Sequence, residues 1–220
     1  MLKKLLLVLL IALSIPFQMN AEWVPLNKNK TAQTPPKVTL LRDDNNSSVI
    51  RFEISGFDLK KFRSEDKTYQ AIDLLSEAIT TDPGNPELPY LAKVLAIPDN
   101  AGVSVEVLET GEVQTFDDIY LPPARTSWIE GQAETPYVEN RDAYQSDDIF
   151  PKDLARMEPP AVFRDFRIAR VSVFPVRYIP AKKELQVVSS ITVRINYGKG
   201  TVVNPRTTAN RGIAPSFGKQ

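Results

Sequence analysis

Residues Phe163–Tyr197 read FRDFRIARVSVFPVRYIPAKKELQVVSSITVRINY and carry the strongest β-strand signal in the chain. Near the end of this stretch, apolar residues alternate with polar ones at Ile191, Val193, Ile195 and Tyr197. A period of two is typical of a strand with one buried face. Residues 166–174 are apolar on both faces, which predicts a more deeply buried strand, whereas Pro175 and Pro180 cannot donate to a ladder and indicate a bend or a sheet edge. The stretch predicts the closing strands of an antiparallel β-sandwich that is similar to a jelly roll.

The composition limits the classes of function that are open to this chain. It has 220 residues, of which 42% are hydrophobic, and this is enough for one packed domain. Basic and acidic residues balance at 27 each, so no excess of positive charge favours binding to nucleic acid. The sequence has no cysteine and no histidine, which excludes a cysteine nucleophile, a Ser-His pair, a His-ligated metal site and a disulfide framework. We therefore predict a non-catalytic domain with no metal, no cofactor and no small-molecule substrate.

Residues 1–21 have the order of parts that is found in a secretory signal peptide. Lys3 and Lys4 form a basic start, residues 5–15 form an apolar run, and Ala21 offers a small residue for cleavage. A membrane anchor is the alternative, but a helix that spans a bilayer needs about 20 apolar residues and this run is shorter. We predict cleavage after Ala21 and export of the remaining chain through the inner membrane, to the periplasm or to the outside of the cell.

Short strand patterns and turn signals recur along the chain after the leader, as in an all-β sandwich. Residues 22–37 are polar and are interpreted as a lead-in with little regular structure, followed by the β-sandwich over residues 38–200. Residues 60–67 are strongly charged and predict a solvated turn, and Gly56 is expected to turn the chain before them. Residues 68–80 favour a helix by local propensity and a strand by the strands around them, and we choose the strand.

The strand pattern stops after Tyr120. Residues 121–160 are rich in proline and acidic residues and have no sustained period, which predicts one long irregular loop. Such loops are uncommon in compact domains and are usually functional or disordered, so we expect a working surface here. Asp117–Asp118 and Asp147–Asp148 offer neighbouring carboxylates, but neighbours on a strand face opposite sides, which disfavours a hydrolase built on a carboxylate pair. Residues 201–220 predict a flexible tail.

Five short segments are informative through their order and spacing. They are Ile54–Phe57, Gly84–Pro89, Ala96–Asp99, Arg164–Arg167 and Phe174–Pro180. In this order, over roughly residues 38–200, the chain resembles the N-terminal propeptide of the gingipain-type (family C25) cysteine peptidases. The resemblance implies an all-β prodomain ahead of a catalytic domain with a His-Cys pair, and it makes residues 201–220 the junction to a catalytic domain that this sequence does not contain.

The resemblance also implies a function and a partner. Such a propeptide assists the folding of its cysteine peptidase and keeps the enzyme latent by covering the active-site cleft, so the implied partner is the cognate catalytic domain in cis. The family association further implies export by the type IX route. The alternative is a free-standing exported β-sandwich that binds a protein or a glycan at the cell surface.

Arg125 and Arg141 lie in the long loop and are the candidate residues for insertion into the cleft, because gingipain-like enzymes prefer Arg or Lys. We favour Arg125, since two prolines precede it and Trp128 follows it, and these residues would hold it rigidly. A guanidinium can pair with a pocket carboxylate through two parallel hydrogen bonds. A solvated surface arginine is the alternative at each position.

Other charged residues lie nearer the end of the chain. Arg206 and Arg211 fall in the predicted tail and are candidate sites for activation cleavage, with plain linker residues as the alternative. Arg164, Asp165 and Arg167 are expected to form a small ion-pair cluster at the start of a strand.

Overall fold

The computed structural model describes residues 21–27, 32–198 and 200–207. The described chain is built almost entirely of β-strands. In chain order the strands are β1 (Ala21–Pro25), β2 (Lys37–Asp43), β3 (Ser47–Glu53), β4 (Gly56–Ser64), β5 (Lys67–Asp73), β6 (Ala78–Ile79), β7 (Pro89–Ile97), β8 (Val103–Thr110), β9 (Val113–Phe116), β10 (Ala155–Met157), β11 (Ala161–Phe163), β12 (Phe166–Val173), β13 (Val176–Ile179), β14 (Glu184–Val188) and β15 (Ser190–Tyr197). The described helices are α1 (Arg141–Tyr144) and a 3-10 turn (Pro180–Lys182), and neither is long and apolar enough to cross a membrane. The prediction of an all-β fold is confirmed.

The described strands form four antiparallel groups. Their orders are β1-β4-β5, β2-β3-β15-β8, β13-β14-β9 and β10-β12-β7-β6, and β11 also pairs with β12. Strand β15 lies between β3 and β8, and β12 lies between β7 and β10. Strand β14 lies between β13 and β9, so the stretch Phe163–Tyr197 supplies central strands to three of the four groups, which is why its apolar pattern is so strong.

A single cluster of buried apolar side chains joins the four groups. It includes Phe57 from β4, Phe52 from β3, Val171 from β12, Leu185 from β14 and Val193 from β15. Each of these side chains is almost fully buried, and full burial of such a side chain stabilises the fold by about 1.5–3 kcal/mol. The strands are thus held by one core, as a sandwich requires.

The start of the domain differs from the predicted lead-in. Residues Ala21–Pro25 form β1, which pairs with β4 from Ala21 opposite Lys60 to Pro25 opposite Gly56. Gly56 does not turn the chain, because it lies within β4. There it allows β1 to pack closely against β4. A Cβ atom at Gly56 would lie 2.5 Å from Cζ2 of Trp23, so only glycine lets β1 approach β4 this closely.

The predicted solvated turn at residues 60–67 is also wrong. Strand β4 continues to Ser64, and the turn is formed at Glu65, where φ is 53°. Lys60 is paired with Asp73 of β5, so the charged residues face each other across a strand pair instead of filling a loop. The choice of a strand for residues 68–80 is confirmed, since β5 and β6 lie there.

Candidate functional site

The long irregular loop begins on a rigid base. Leu121 and Ala124 are buried, and the main chain of residues 122–124 is bonded to the proline-rich segment 84–87. Ala124 donates from its amide to the Asn85 carbonyl at 2.8 Å and accepts from Gly84 at 2.9 Å. The backbone is therefore fixed as far as Ala124, Arg125 is partly buried, and residues 126–134 are exposed.

The far end of the loop is fixed by a partly buried carboxylate. Glu139 accepts hydrogen bonds from the hydroxyl groups of Tyr120 at 2.6 Å and Tyr69 at 3.1 Å, and it pairs with Nζ of Lys67 at 2.7 Å. Burial on its own raises the pKa of Glu139, but the hydrogen bonds from Lys67, Tyr120 and Tyr69 outweigh it and hold that pKa below its ordinary value. The carboxylate thus ties the far end of the loop to Lys67 and Tyr69 of β5 and to Tyr120, which directly precedes the predicted loop.

Gly84 closes the base of the loop. Its carbonyl accepts a 2.9 Å hydrogen bond from the amide of Asn140. Its φ is +82°, and a Cβ atom there would lie 3.0 Å from the Asn140 nitrogen. Both observations require glycine. Residues 125–138 therefore form a loop whose two ends meet at one place on the domain, and a cavity of about 300 Å³ lies beneath it.

The guanidinium of Arg125 lies against three side chains of its own loop. It donates to Oε2 of Glu134 at 2.5 Å, and it lies over the Trp128 ring at 4.4 Å and over the Tyr137 ring at 4.8 Å from the ring centroids. As a result the Arg125 side chain is only 19% exposed. Burial raises the pKa of the neighbouring Glu87, and the positive charge of Arg125 partly offsets that rise. Arg125 is thus held by Glu134, Trp128 and Tyr137 of its own loop, and its charged end is not free in this structure.

Arg141 has a different environment. It is the first residue of α1, whose N-cap residue Asn140 accepts from the Asp142 amide at 3.1 Å. The side chain of Arg141 is exposed, and within the described part of the chain no hydrogen bond or ion pair of its guanidinium is found. Of the two predicted loop residues, Arg141 is therefore free and Arg125 is held.

Apolar side chains on the same loop face solvent. Ile129 is 70% exposed and Val138 is 65% exposed, and Trp128 also retains a large exposed area. Exposed apolar side chains that are grouped in one place are typical of a surface that binds another protein. The loss of strand periodicity after Tyr120 predicted a working surface in this part of the chain, but no sequence pattern indicated Ile129 or Val138.

The predicted activation site Arg206 is bound to the body of the domain. Its guanidinium pairs with Asp99 at 3.0 Å, its amide donates to the Asp99 carbonyl at 3.1 Å, and its side chain is 13% exposed. Residues 203–206 thus differ from the predicted flexible tail. Arg211 lies outside the described residues. Ala21, the predicted signal cleavage residue, is the first residue of β1.

Arg167 explains how the end of the chain is held. Its side chain is 1% exposed and donates to four main-chain carbonyl oxygens, those of Pro98 at 2.7 Å, Ala101 at 2.8 Å, Val203 at 2.7 Å and Asn204 at 3.0 Å. The predicted ion-pair cluster with Asp165 is therefore wrong for Arg167, whose donors are taken up by the backbone. Within the residues that the structure describes, no group of three or more acidic side chains could hold a metal ion.

These features define an all-β domain with an exposed loop whose two ends are hydrogen-bonded to the body of the domain. The chain belongs to the Propeptide_C25 family, whose profile matches residues 27–213. The predicted resemblance to the propeptides of gingipain-type peptidases is thereby confirmed, and with it the prediction of a propeptide that has no catalytic role of its own.

Individual relatives agree with this assignment. Gingipain R2 of Porphyromonas gingivalis is 25% identical over 162 residues, which cover 73% of this chain and 22% of that protein. Lys-gingipain of the same organism is 23% identical over 172 residues, which cover 76% of this chain and 10% of that protein. The chain thus spans only a small part of the length of the curated relatives that it matches.

Two solved structures share the fold. One is a complex of the pro- and mature domains of RgpB from Porphyromonas gingivalis, with a TM-score of 0.72, 22% identity, and coverage of 81% of this chain and 92% of the other. The second comes from work on the zymogenic latency of gingipain K from the same organism, with a TM-score of 0.70, 22% identity, and coverage of 83% and 100%.

Proposed function

We propose that this domain keeps a C25 cysteine peptidase latent by covering its active-site cleft, and that it assists the folding of that peptidase. The family match over residues 27–213 carries the proposal. The likeness to a prodomain that was solved together with its mature domain supports it. The partner is the cognate catalytic domain in cis, and neither a nucleic acid nor a small-molecule substrate is involved.

The affinity that latency requires is modest. A domain tethered to its target competes at an effective concentration on the order of 1 mM. Covering about 99% of the enzyme then needs a Kd near 10 μM, which corresponds to about −7 kcal/mol. A protein interface of ordinary size with one anchoring side chain supplies this much. Once the tether is cut and the two parts dilute, the same Kd no longer keeps them together, so cleavage alone activates the enzyme.

The loop of residues 125–138 is the surface that enters the cleft, with Arg125 as the anchor. Its main chain leaves the fixed base at Ala124, which presents the next residue at a defined position. Freeing the guanidinium means breaking one exposed ion pair, worth up to about 1 kcal/mol, and two cation–π contacts of about 0.5–1 kcal/mol each. A close charge pair at a protein interface contributes about 1.5–7 kcal/mol, so a well-formed pair with a pocket carboxylate offsets this cost of up to about 3 kcal/mol. Arg141 is the alternative anchor, because its guanidinium has no hydrogen bond or ion pair within the described chain that must be broken first.

Activation cleavage occurs in the segment that follows the domain, at Arg206 or Arg211. The pairing of Arg206 with Asp99 means that a peptidase reaches the bond after Arg206 only when this segment has left the body of the domain.

Export of the precursor relies on residues 1–21 as a signal peptide that is cleaved after Ala21. The family association supports transport from the periplasm by the type IX route. Cleavage after Ala21 removes one residue from β1 and leaves the pairs from Glu22 to Pro25 with β4 in place.

The test begins with the reading frame downstream of Gln220. We expect a domain with a His-Cys pair, and the whole precursor should be inactive until the chain is cut after residue 206 or 211. Precursors with Arg206→Ala, Arg211→Ala and both changes should be compared for the onset of peptidase activity. We expect the double variant to stay latent. A precursor that is fully active while uncut would overturn the proposal.

A further inference from the structure

The contacts of Arg125 have a consequence for how the loop works. The guanidinium cannot lie between Trp128 and Tyr137 and at the same time fill a pocket of another protein. The loop therefore has two states, one with Arg125 held by its own neighbours and one with Arg125 extended. The structure holds the first state, with the ion pair to Glu134 at 2.5 Å.

We propose that Trp128, Glu134 and Tyr137 form an arginine cage that stores the Arg125 side chain whenever the cleft is not occupied. This proposal rests on the proposed function of Arg125 as the anchor. The cage makes the three residues positioning residues, because they set the fraction of loops that are ready to bind. The apparent affinity equals the intrinsic affinity multiplied by that fraction. The cage therefore weakens rebinding of the cut propeptide without altering the contact itself.

The chemistry of the cage fits this role. Glu134 is 67% exposed, so its pair with Arg125 is weak enough to open in water. The two rings hold the cation through its faces, so its hydrogen-bond donors can pair with a carboxylate elsewhere once the ion pair to Glu134 opens. An open pocket of about 300 Å³ lies beside the cage and is lined by Arg125 and Thr126 at one end of the loop and by Thr135 and Val138 at the other. An arginine fixed by a fully buried pair would not be released in this way.

Limited proteolysis with trypsin tests the cage directly, because trypsin cuts only after an arginine or lysine side chain has entered its own pocket. The rate of cleavage after Arg125 is measured against cleavage after Arg141 in the same chain, which serves as an internal standard. We expect Glu134→Gln to raise the relative rate at Arg125 by about 3- to 5-fold. Combining it with Trp128→Leu should raise the rate further, to about 10-fold or more.

The matched control is Glu130→Gln, which removes the same charge from the same exposed loop at a residue without a hydrogen bond or ion pair to the described chain. Its relative rate should equal that of the unaltered chain. Equal rates at Arg125 in the unaltered chain, in Glu134→Gln and in the combined variant would overturn the cage.

Inhibition of the cognate peptidase separates this proposal from the proposed function. Glu134→Gln should inhibit about 3- to 5-fold more tightly than the unaltered chain, whereas Arg125→Ala should inhibit less. If Arg125→Ala changes nothing while the trypsin result holds, the anchor is wrong and the cage stands. If Arg125→Ala weakens inhibition and Glu134→Gln changes neither inhibition nor proteolysis, the anchor stands and the cage is wrong.

Discussion

The guanidinium of Arg167 donates a 2.7 Å hydrogen bond to the main-chain carbonyl of Val203. This contact joins β12, in the centre of the fold, to the segment that leads out of the domain. Asn204 adds a second connection, since its amide side chain donates to the Pro160 carbonyl at 2.8 Å. The chain is therefore part of the folded body of the domain up to Arg206.

Arg167→Lys should destabilise the domain by about 3 kcal/mol. A lysine ammonium has three donors on a flexible stem and cannot reach four carbonyl oxygens that a planar guanidinium serves at once, so buried carbonyl groups lose their partners. Urea unfolding measures the change. Arg170→Lys in the same strand is the control, since Arg170 is partly exposed and pairs with Glu158, and it should cost less than about 1 kcal/mol. A loss of similar size for both variants would contradict the role of Arg167.

Truncation tests the boundary of the domain. A chain cut after Thr207 keeps every described contact of Arg167 and Arg206, whereas a chain cut after Gly200 loses the carbonyl groups of Val203 and Asn204. We expect the shorter chain to unfold at lower urea, with a loss of about 2–3 kcal/mol for a buried charge that has lost hydrogen bonds. Equal midpoints for the two chains would show that residues 201–207 add nothing to the fold.

Much of this architecture is predictable because a strand pattern is local. The alternation at Ile191, Val193 and Ile195 and the turn residues between strands are enough to give an all-β class. The role of Arg167 is not local, since it binds residues 36 and 69 positions away in sequence. The sequence contains one indication of this role, because Arg167 lies on the same face of β12 as the buried residues Ala169 and Val171. A charge in the buried phase of a strand indicates an internal hydrogen-bond site.

The candidate site was predictable in position and not in detail. The loss of period after Tyr120 located the loop, and the prolines and Trp128 indicated a held Arg125. The partners Glu134 and Tyr137 and the base at Gly84 depend on how distant segments fold together, which the spacing of residues does not encode. Strand β1 was missed for the same reason, since its partner β4 lies more than thirty residues later.

The stability that Glu139 contributes should depend on pH. Its pKa in the folded chain lies below the ordinary 4.5. The contribution is therefore complete above pH 4.5 and is lost as the pH falls through the folded pKa. At pH 7, Glu139→Gln should lower the free energy of unfolding by about 2 kcal/mol.

Urea unfolding of both chains from pH 7 down to about pH 3 measures this difference, which should shrink in the acid range. Glu130→Gln is the control, and it should match the unaltered chain at every pH. A difference between Glu139→Gln and the unaltered chain that stays constant or grows on acidification would contradict the role of Glu139.

The most direct test of the account is the inhibition of the cognate C25 peptidase domain by this purified chain. We predict inhibition with a Kd of about 10 μM or tighter, weakened at least about tenfold by Arg125→Ala. Arg141→Ala should leave the Kd within about threefold, which is less than 1 kcal/mol. A peptidase that stays fully active at ten times the predicted Kd would contradict the claim that this domain acts by covering the cleft. An Arg125→Ala chain that inhibits within threefold of the unaltered chain would contradict the assignment of the anchor.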